Sequence, residues 1–126
     1  MIILDSDVLI EILDRKSLKG DQALKQITKT PEMIATTSIN LHEVLYGLNK
    51  YAKPVQEILL LPILSYTKKD AVLASKIEFE VEKKGKTVCR TDAMIAAITI
   101  NNDAKLYTFN LKHFYGFEDI GLKLSQ

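Results

Sequence analysis

Three acidic residues stand where a charged side chain is difficult to explain by solubility alone. Asp5 follows directly on the apolar run of residues 2–4, and Asp92 is the one charge in a segment that is otherwise apolar on nearly every side. Glu43 lies off the apolar stripe of a predicted helix, and Asn110 lies just past the end of a predicted strand. Because functional groups of α/β proteins collect beyond the carboxyl ends of strands, we predict that Asp5, Glu43 and Asp92 converge.

Convergence of these acids would require a positive counter-charge. Two carboxylates about 5 Å apart repel by roughly 3 kcal/mol at an effective dielectric constant near 20. Ligands that are all oxygen atoms favour Mg²⁺ or Mn²⁺ over zinc, and the chain has one cysteine and two histidines, too few for a zinc cluster. Such an ion activates a water molecule toward a phosphodiester. The three acids therefore predict phosphodiester hydrolysis without a covalent enzyme intermediate.

Each acid also has a structural interpretation. Asn40 and Glu43 have the spacing of a capping box, in which the acid bonds back to the helix cap. Asp7 is interpreted as a cap of the helix that follows it, and Asp70 as a cap at an exposed helix start. Asp92 has the position of a first-turn charge, but its helix should be buried, where an unpaired carboxylate is costly.

The histidines and the basic residues are interpreted structurally. His42 sits on a helix beside Glu43 and should point elsewhere, while His113 precedes Phe114 in a segment predicted to be packing surface. The Lys-rich segment 83–90 is interpreted as a solvated helix end, although its closeness to the third acid also permits contact with RNA phosphates.

The elements that would position the acids alternate between strands and helices. Apolar runs predict strands over residues 2–4, 33–37, 63–66 and 104–108, with a last short one at 122–124. Helical periodicity begins at Val8 and recurs over 20–30, from Asn40 onward, over 68–84 with Gly85 as its C-cap, and over 91–102. This order predicts a three-layer α/β/α sandwich with a short, mostly parallel sheet.

Length and composition limit the remaining possibilities. The 126 residues fit one domain spanning 1–126, and 47% hydrophobic content is sufficient for a core without disulfides. Seventeen basic and sixteen acidic residues leave a net charge of +1, so no basic surplus indicates nucleic acid and that inference depends on the site. No signal peptide or membrane span is recognisable, and the lone cysteine fits a reducing compartment. We therefore expect a cytoplasmic protein without membrane contact.

Four stretches in order along the chain resemble the PIN-domain family, and specifically the VapC toxins of toxin–antitoxin pairs. They are ILDSDVLI at 3–10, NLHEVLYG at 40–47, DAMIAA at 92–97 and LYTFNLKHF at 106–114. Each motif is weak by itself, but their order and spacing cover nearly the whole chain. The resemblance implies an endoribonuclease that depends on Mg²⁺ or Mn²⁺, hydrolyses RNA, forms a homodimer and is inhibited by a cognate VapB-like antitoxin.

The resemblance also assigns roles to single residues. It implies that Asp5, Glu43 and Asp92 ligate the metal and that these three, together with Asn110, form the catalytic set. Two positions depart from the commonest pattern: Asp7 stands where the family often has Asn or Ser, and Asn110 stands where many members have a fourth acid. An asparagine there predicts a weakly occupied second metal position.

Other functions fit parts of the same pattern. An Asp-x-Asp after an apolar strand also opens phosphatases with an aspartyl nucleophile, but the late acidic pair that they need is missing. A phospho-accepting receiver domain would need an Asp near mid-chain, and none lies between Asp21 and Asp70. A PIN-like module that binds RNA or protein without activity remains open. The apolar stretch from Val55 to Leu61 exceeds the needs of one small core and predicts a homodimer.

Overall fold

The computed structural model describes residues 1–126 and arranges strands and helices along the whole chain. The strands are β1 (Ile2–Leu4), β2 (Ile34–Thr37), β3 (Ile63–Leu64) and β4 (Lys105–Tyr107). The α-helices are α1 (Ser6–Leu9), α2 (Leu18–Thr28), α3 (Ser38–Lys50), α4 (Gln56–Leu59), α5 (Lys68–Lys83), α6 (Arg90–Asn101) and α7 (Leu111–Phe114). A π-helical turn (Ile10–Asp14) continues α1, and a 3-10 helix (Tyr115–Ile120) continues α7.

The four strands form one parallel sheet in the order β3-β2-β1-β4. In this register Ile3 of β1 lies opposite Ala35 of β2, and Leu4 lies opposite Tyr107 of β4. Because all strands run in the same direction, their carboxyl ends meet at one edge of the sheet. Residues that directly follow β1, β2 and β4 are therefore neighbours at that edge.

Alternation of side chains along the strands supplies two separate cores. Ile3 is fully buried on one face of the sheet, where it packs with residues of α5 and α6. Ile2 and Leu4 point to the opposite face, where they pack with residues of α1, α2 and α3. Helices therefore cover both faces. The predicted three-layer α/β/α sandwich with a parallel sheet is confirmed.

Helices α2 and α3 begin earlier than predicted, because in each a residue further upstream is the N-cap. Ser17 caps α2 by accepting a hydrogen bond from Gly20 N at 3.0 Å, so α2 begins two residues before Gly20. Thr37 caps α3 by accepting a bond from Asn40 N at 3.1 Å. Asn40 is consequently inside the helix, and the predicted capping box between Asn40 and Glu43 is wrong.

Asp70 has the predicted capping role but a different environment. Its side chain accepts a bond from Thr67 N, and Thr67 caps α5 in return, which completes a capping box. The predicted exposure is wrong, because Asp70 is only 3% exposed and its Oδ1 atom also accepts a bond from Asn101 at 2.8 Å. Packing of the start of α5 against the end of α6 explains this burial.

Two predicted strands are shorter than expected. The segment 122–124 contributes a single bridge, between Leu106 and Leu124. The strand predicted for 63–66 ends at Leu64, because Tyr66 N turns away from the sheet and donates to Ser38 Oγ at 3.1 Å. None of the helices combines the length and the apolar character that crossing a membrane requires.

Candidate active site at the carboxyl edge of the sheet

Asp5 is a buried carboxylate at the end of β1, and three donors hold it in place. Its Oδ1 atom accepts hydrogen bonds from Ser6 N and from Asn40 Nδ2, each at 2.9 Å. Its Oδ2 atom accepts one from Thr108 Oγ1 at 2.7 Å. Each carboxylate oxygen has two lone pairs, so Oδ1 is saturated and Oδ2 keeps one acceptor position. Asp5 is thus fixed in orientation with one oxygen available to a further ligand.

Asn40 lies beside Asp5, has no exposed surface and forms hydrogen bonds with three neighbouring side chains. One N–H of its amide donates to Asp5, and the same nitrogen donates to Ser6 Oγ at 2.9 Å. The amide oxygen accepts a bond from Thr37 Oγ1 at 2.7 Å. Every polar atom of the amide therefore has a partner, which is the condition for burying such a group at low cost.

Glu43 is linked to Asp5 through a single residue. Ser6 donates its backbone N–H to Asp5 and its hydroxyl to Glu43 Oε1, the latter at 3.0 Å. The pKa of Glu43 is raised above its ordinary value. Partial withdrawal from water is the main cause and the charge of Asp5 adds to it, whereas the hydrogen bond from Ser6 opposes them. The structure therefore brings the first two predicted acids together on one serine.

Asp92 lies in the first turn of α6 with its side chain 18% exposed. Burial first, and repulsion from Asp5 second, raise its pKa from an ordinary 3.8 to about 6. Glu43 adds to the repulsion, whereas His113 opposes it. Asp92, the third predicted acid, therefore lies close enough to Asp5 and Glu43 for their charges to raise its pKa.

His113 stands next to Asp92, contrary to the prediction that it belongs to a packing surface. Its Nδ1 atom lies 3.5 Å from Asp92 Oδ2, and its side chain is 59% exposed. The neighbouring Phe114 provides the packing instead, since it is 1% exposed. Adjacent residues of a helix point to different sides, so the apolar Phe114 does not show in sequence that His113 faces Asp92.

Asp7 is a fourth carboxylate beside the site. Burial and the charge of Asp5 raise its pKa to about 6, from an ordinary 3.8. Its Oδ2 atom accepts a bond from Phe109 N at 3.1 Å, and its Oδ1 atom is buried with no hydrogen-bond partner. The predicted role as helix cap is wrong, because Asp5 caps α1 and Asp7 ties that helix to the segment after β4.

Asn110 occupies a different position from the acids. Its backbone N–H donates to Thr108 Oγ1 at 3.1 Å, and that hydroxyl donates in turn to Asp5. The residue is exposed, and its side chain makes no hydrogen bond to Asp5, Glu43 or Asp92. The structure therefore connects Asn110 to the site through its backbone.

The acids fit a divalent cation by their chemistry. No Lys or Arg forms an ion pair with Asp5, Glu43 or Asp92, and His113 is the one basic side chain within 4.0 Å of their carboxylates, while His42 acts on Glu43 from further away. No three side chains of the His, Cys, Asp and Glu types are close enough to enclose an ion directly. Mg²⁺ suits such a site, because it normally keeps several waters and takes one or two carboxylates directly.

Sequence reasoning missed the residues that hold the acids in place. These residues are Ser6, Thr37, Asn40 and Thr108, whose types commonly form turns and helix caps and so give little sign of a site. The one available signal was Thr108, a polar residue directly after the buried strand β4. It occupies the same place relative to β4 that Asp5 occupies relative to β1.

The comparison with protein families matches residues 2–119 of this chain to the PIN domain. The chain belongs to the PIN-domain family. Two curated relatives are similar to this chain over most of their length. Ribonuclease VapC2 of Haemophilus influenzae is 28% identical, with 89% of this chain and 88% of the relative covered. Ribonuclease VapC1 of Methanocaldococcus jannaschii is also 28% identical, with 98% and 85% covered.

Solved structures have the same fold as this chain. The complex VapBC2 of Rickettsia felis, bound to a DNA fragment from its promoter, contains a chain that matches with a TM-score of 0.78 and 27% identity, covering 99% of this chain and 98% of that one. FitAcB of Neisseria gonorrhoeae matches with a TM-score of 0.81 at 20% identity, covering 100% and 97%, which supports the fold alone. The resemblance carried by the four sequence motifs is confirmed.

Proposed function

We propose that this PIN domain is a metal-dependent endoribonuclease of the VapC type. The observation that carries the proposal is the mutual repulsion of Asp5, Glu43 and Asp92 at one sheet edge without a Lys or Arg to offset it. A folded protein retains such repulsion only where something compensates for it, and perturbed acids in this position are typical of functional sites. The curated relatives named ribonucleases support RNA as the substrate.

Asp5 would hold Mg²⁺ or Mn²⁺ through the free position on Oδ2, with Glu43 and Asp92 as further ligands that reach the ion through its waters. When bound, the ion supplies an activated water and offsets negative charge at the scissile phosphate. Asn40 and Thr108 keep the Asp5 carboxylate in one rotamer, and Ser6 sets the distance between Asp5 and Glu43. In a crystal structure we expect the carboxyl carbons of the three acids to lie within about 8 Å of one another, the span that a hydrated divalent ion can bridge.

Regulation by an antitoxin is the second part of the proposal. The Rickettsia felis relative was solved as a VapBC complex, which supports a VapB-like antitoxin as partner of this chain. A partly apolar groove includes Glu43 and is lined by Ile10 of the π-helical turn, Val44 of α3 and Tyr51, which directly follows α3. A peptide in this groove would reach the acids and block access of RNA to them.

We also propose a homodimer. Leu59 and Leu60 are 53% and 84% exposed at the end of α4, whereas Ile58 is buried and anchors that helix. Adjacent exposed leucines are typical of association surfaces. Light scattering that finds a monomer at micromolar concentration would contradict this part of the proposal.

Cleavage of single-stranded RNA by the purified protein tests the catalytic proposal. We expect cleavage with Mg²⁺ or Mn²⁺, none with EDTA, and large losses in Asp5→Asn and Asp92→Asn. Asp119→Asn is the matched control, because this aspartate is 82% exposed and contacts only Lys84, at 4.0 Å. RNA binding without metal-dependent cleavage would favour the inactive binding module. A phosphorylated Asp5 would favour the aspartyl-nucleophile phosphatase, against which membership in the PIN family already argues.

A further inference from the structure

Lys19 is an ammonium group in a position that the helix dipole disfavours. It lies in the first turn of α2, an 11-residue helix whose cap is Ser17. The amino end of a helix carries partial positive charge, so a cation there is repelled by the helix dipole, whereas an acid would be stabilised. Helix stability therefore does not explain a lysine at this position.

The aromatic ring of Phe109 holds this ammonium at the edge of the candidate site. Lys19 Nζ lies 4.2 Å from the centroid of the Phe109 ring, within the range of a cation–π interaction. Phe109 directly follows Thr108, which binds Asp5, and Phe109 N binds Asp7. The charge of Lys19 also acts on the Asp7 carboxylate. Both relationships place Lys19 beside Phe109 and Asp7, at the edge of the site that Asp5 anchors.

The Lys19 ammonium has no carboxylate partner within ion-pair distance. Other lysines nearby do, since Lys16 lies 3.6 Å from Glu57 and Lys53 lies 2.8 Å from Asp14. An ammonium group has three N–H donors, and the ring face occupies only one side of it. The remaining donors of Lys19 are exposed and free to bind an anion.

We propose that Lys19 is a substrate-positioning residue that binds a phosphate group of single-stranded RNA next to the acids. The proposal rests on the proposed ribonuclease function and identifies one anchor of its substrate. The acids repel the RNA backbone, and the chain as a whole has a net charge of only +1, so a local cation is needed to hold the phosphates. Phe109 restricts the lysine side chain and lowers the entropy lost when it binds.

Binding of a fluorescent single-stranded oligoribonucleotide over a series of KCl concentrations tests the proposal. The Asp92→Asn background prevents cleavage during the measurement. We expect Lys19→Gln to weaken binding by roughly tenfold and to reduce the slope of log K against log salt by about 0.7, the value for one phosphate contact on a single strand. Lys19→Arg should restore most of the slope. Lys25→Gln in the same helix is the matched control, because Lys25 does not contact Phe109.

Steady-state cleavage by the otherwise native protein supplies the second measurement. Lys19→Gln should raise KM with little change in kcat, since the residue binds substrate and does not touch the reacting atoms. Efficient cleavage with an unchanged KM and salt slope in Lys19→Gln would overturn the role of Lys19 alone. A Lys19-dependent salt slope in a protein that never cleaves RNA would contradict the proposed catalysis alone. A lower melting temperature with native RNA binding would show that Lys19 only packs on Phe109, which also overturns the proposal.

Discussion

Asn40 Nδ2 donates a hydrogen bond to Asp5 Oδ1 at 2.9 Å, and both residues are buried. This bond joins α3 to the end of β1 and depends on the parallel order of β1 and β2. Because Asn40 Oδ1 also accepts from Thr37, the amide completes a buried chain of polar groups. The orientation of the first acid is therefore set by a residue 35 positions away in sequence.

Replacement of this amide should cost both stability and activity. Asn40→Ala leaves Asp5 and Thr37 with buried unpaired groups, so we expect the free energy of unfolding to fall by about 2 kcal/mol. Asn49→Ala is the control, because Asn49 is exposed on the same helix. Urea denaturation measures the difference. Equal stability of the two variants would show that Asn40 is not needed to hold Asp5.

Asp5 was predictable from sequence, whereas its supports were not. An acid directly after a buried apolar run is a local signal, visible in residues 2–5 alone. Thr108 becomes a neighbour of Asp5 only once β4 pairs with β1, and that pairing is a property of the whole chain. The fold class was predictable because alternating strands and helices allow few arrangements.

The π-helical turn Ile10–Asp14 was also not predictable from the sequence. Apolar residues at 8, 9, 12 and 13 predict a helix, but their spacing does not distinguish an α-helix from the π-helical turn that follows α1. Gly20 is the residue that allows α2 to pack closely on this turn. A Cβ atom on Gly20 would lie 2.3 Å from the backbone oxygen of Glu11, so only glycine permits α2 to approach the turn.

A methyl group at this contact should be strongly destabilising. Gly20→Ala improves helix propensity by up to about 1 kcal/mol, but the clash is with backbone and requires α2 to move. We expect a net loss of about 2 kcal/mol in the free energy of unfolding. Gly47→Ala in α3 is the control, since nothing lies within 4 Å of its Cβ position, and it should be stabilising. Similar effects of both substitutions would contradict the close contact.

The raised pKa of Asp92 should appear in the pH dependence of the metal-free protein. Between an ordinary pKa of 3.8 and the folded value of about 6, the folded state binds more protons than the unfolded state. The contribution of Asp92 to stability is therefore present below about pH 4 and is lost as pH rises through about 6. The amide in Asp92→Asn does not ionise, so this variant does not lose that stability as pH rises.

Thermal unfolding with EDTA at several pH values measures this effect. Relative to the native protein, Asp92→Asn should gain on the order of 2 kcal/mol as pH rises from 4 to above 6. Asp119→Asn, at an exposed position, controls for a general change in charge. Addition of Mg²⁺ at neutral pH should stabilise the native protein more than Asp92→Asn. A pH-independent difference between the two proteins would contradict the electrostatic coupling of the acids.

Asn110 should contribute less to turnover than the acids do. Asn110→Ala keeps the backbone N–H that binds Thr108 and removes only an exposed amide, so we expect cleavage to fall by about tenfold or less. Asp5→Asn and Asp92→Asn should lower it by at least about a hundredfold, because each removes charge that offsets the ion. Asn110→Asp should tighten divalent binding, since a fourth carboxylate at this edge favours a second ion. Metal titration and RNA cleavage with the four variants decide between these roles. If Asn110→Ala abolishes cleavage as completely as Asp5→Asn and leaves metal affinity unchanged, Asn110 orients the substrate and the weak second metal position is wrong.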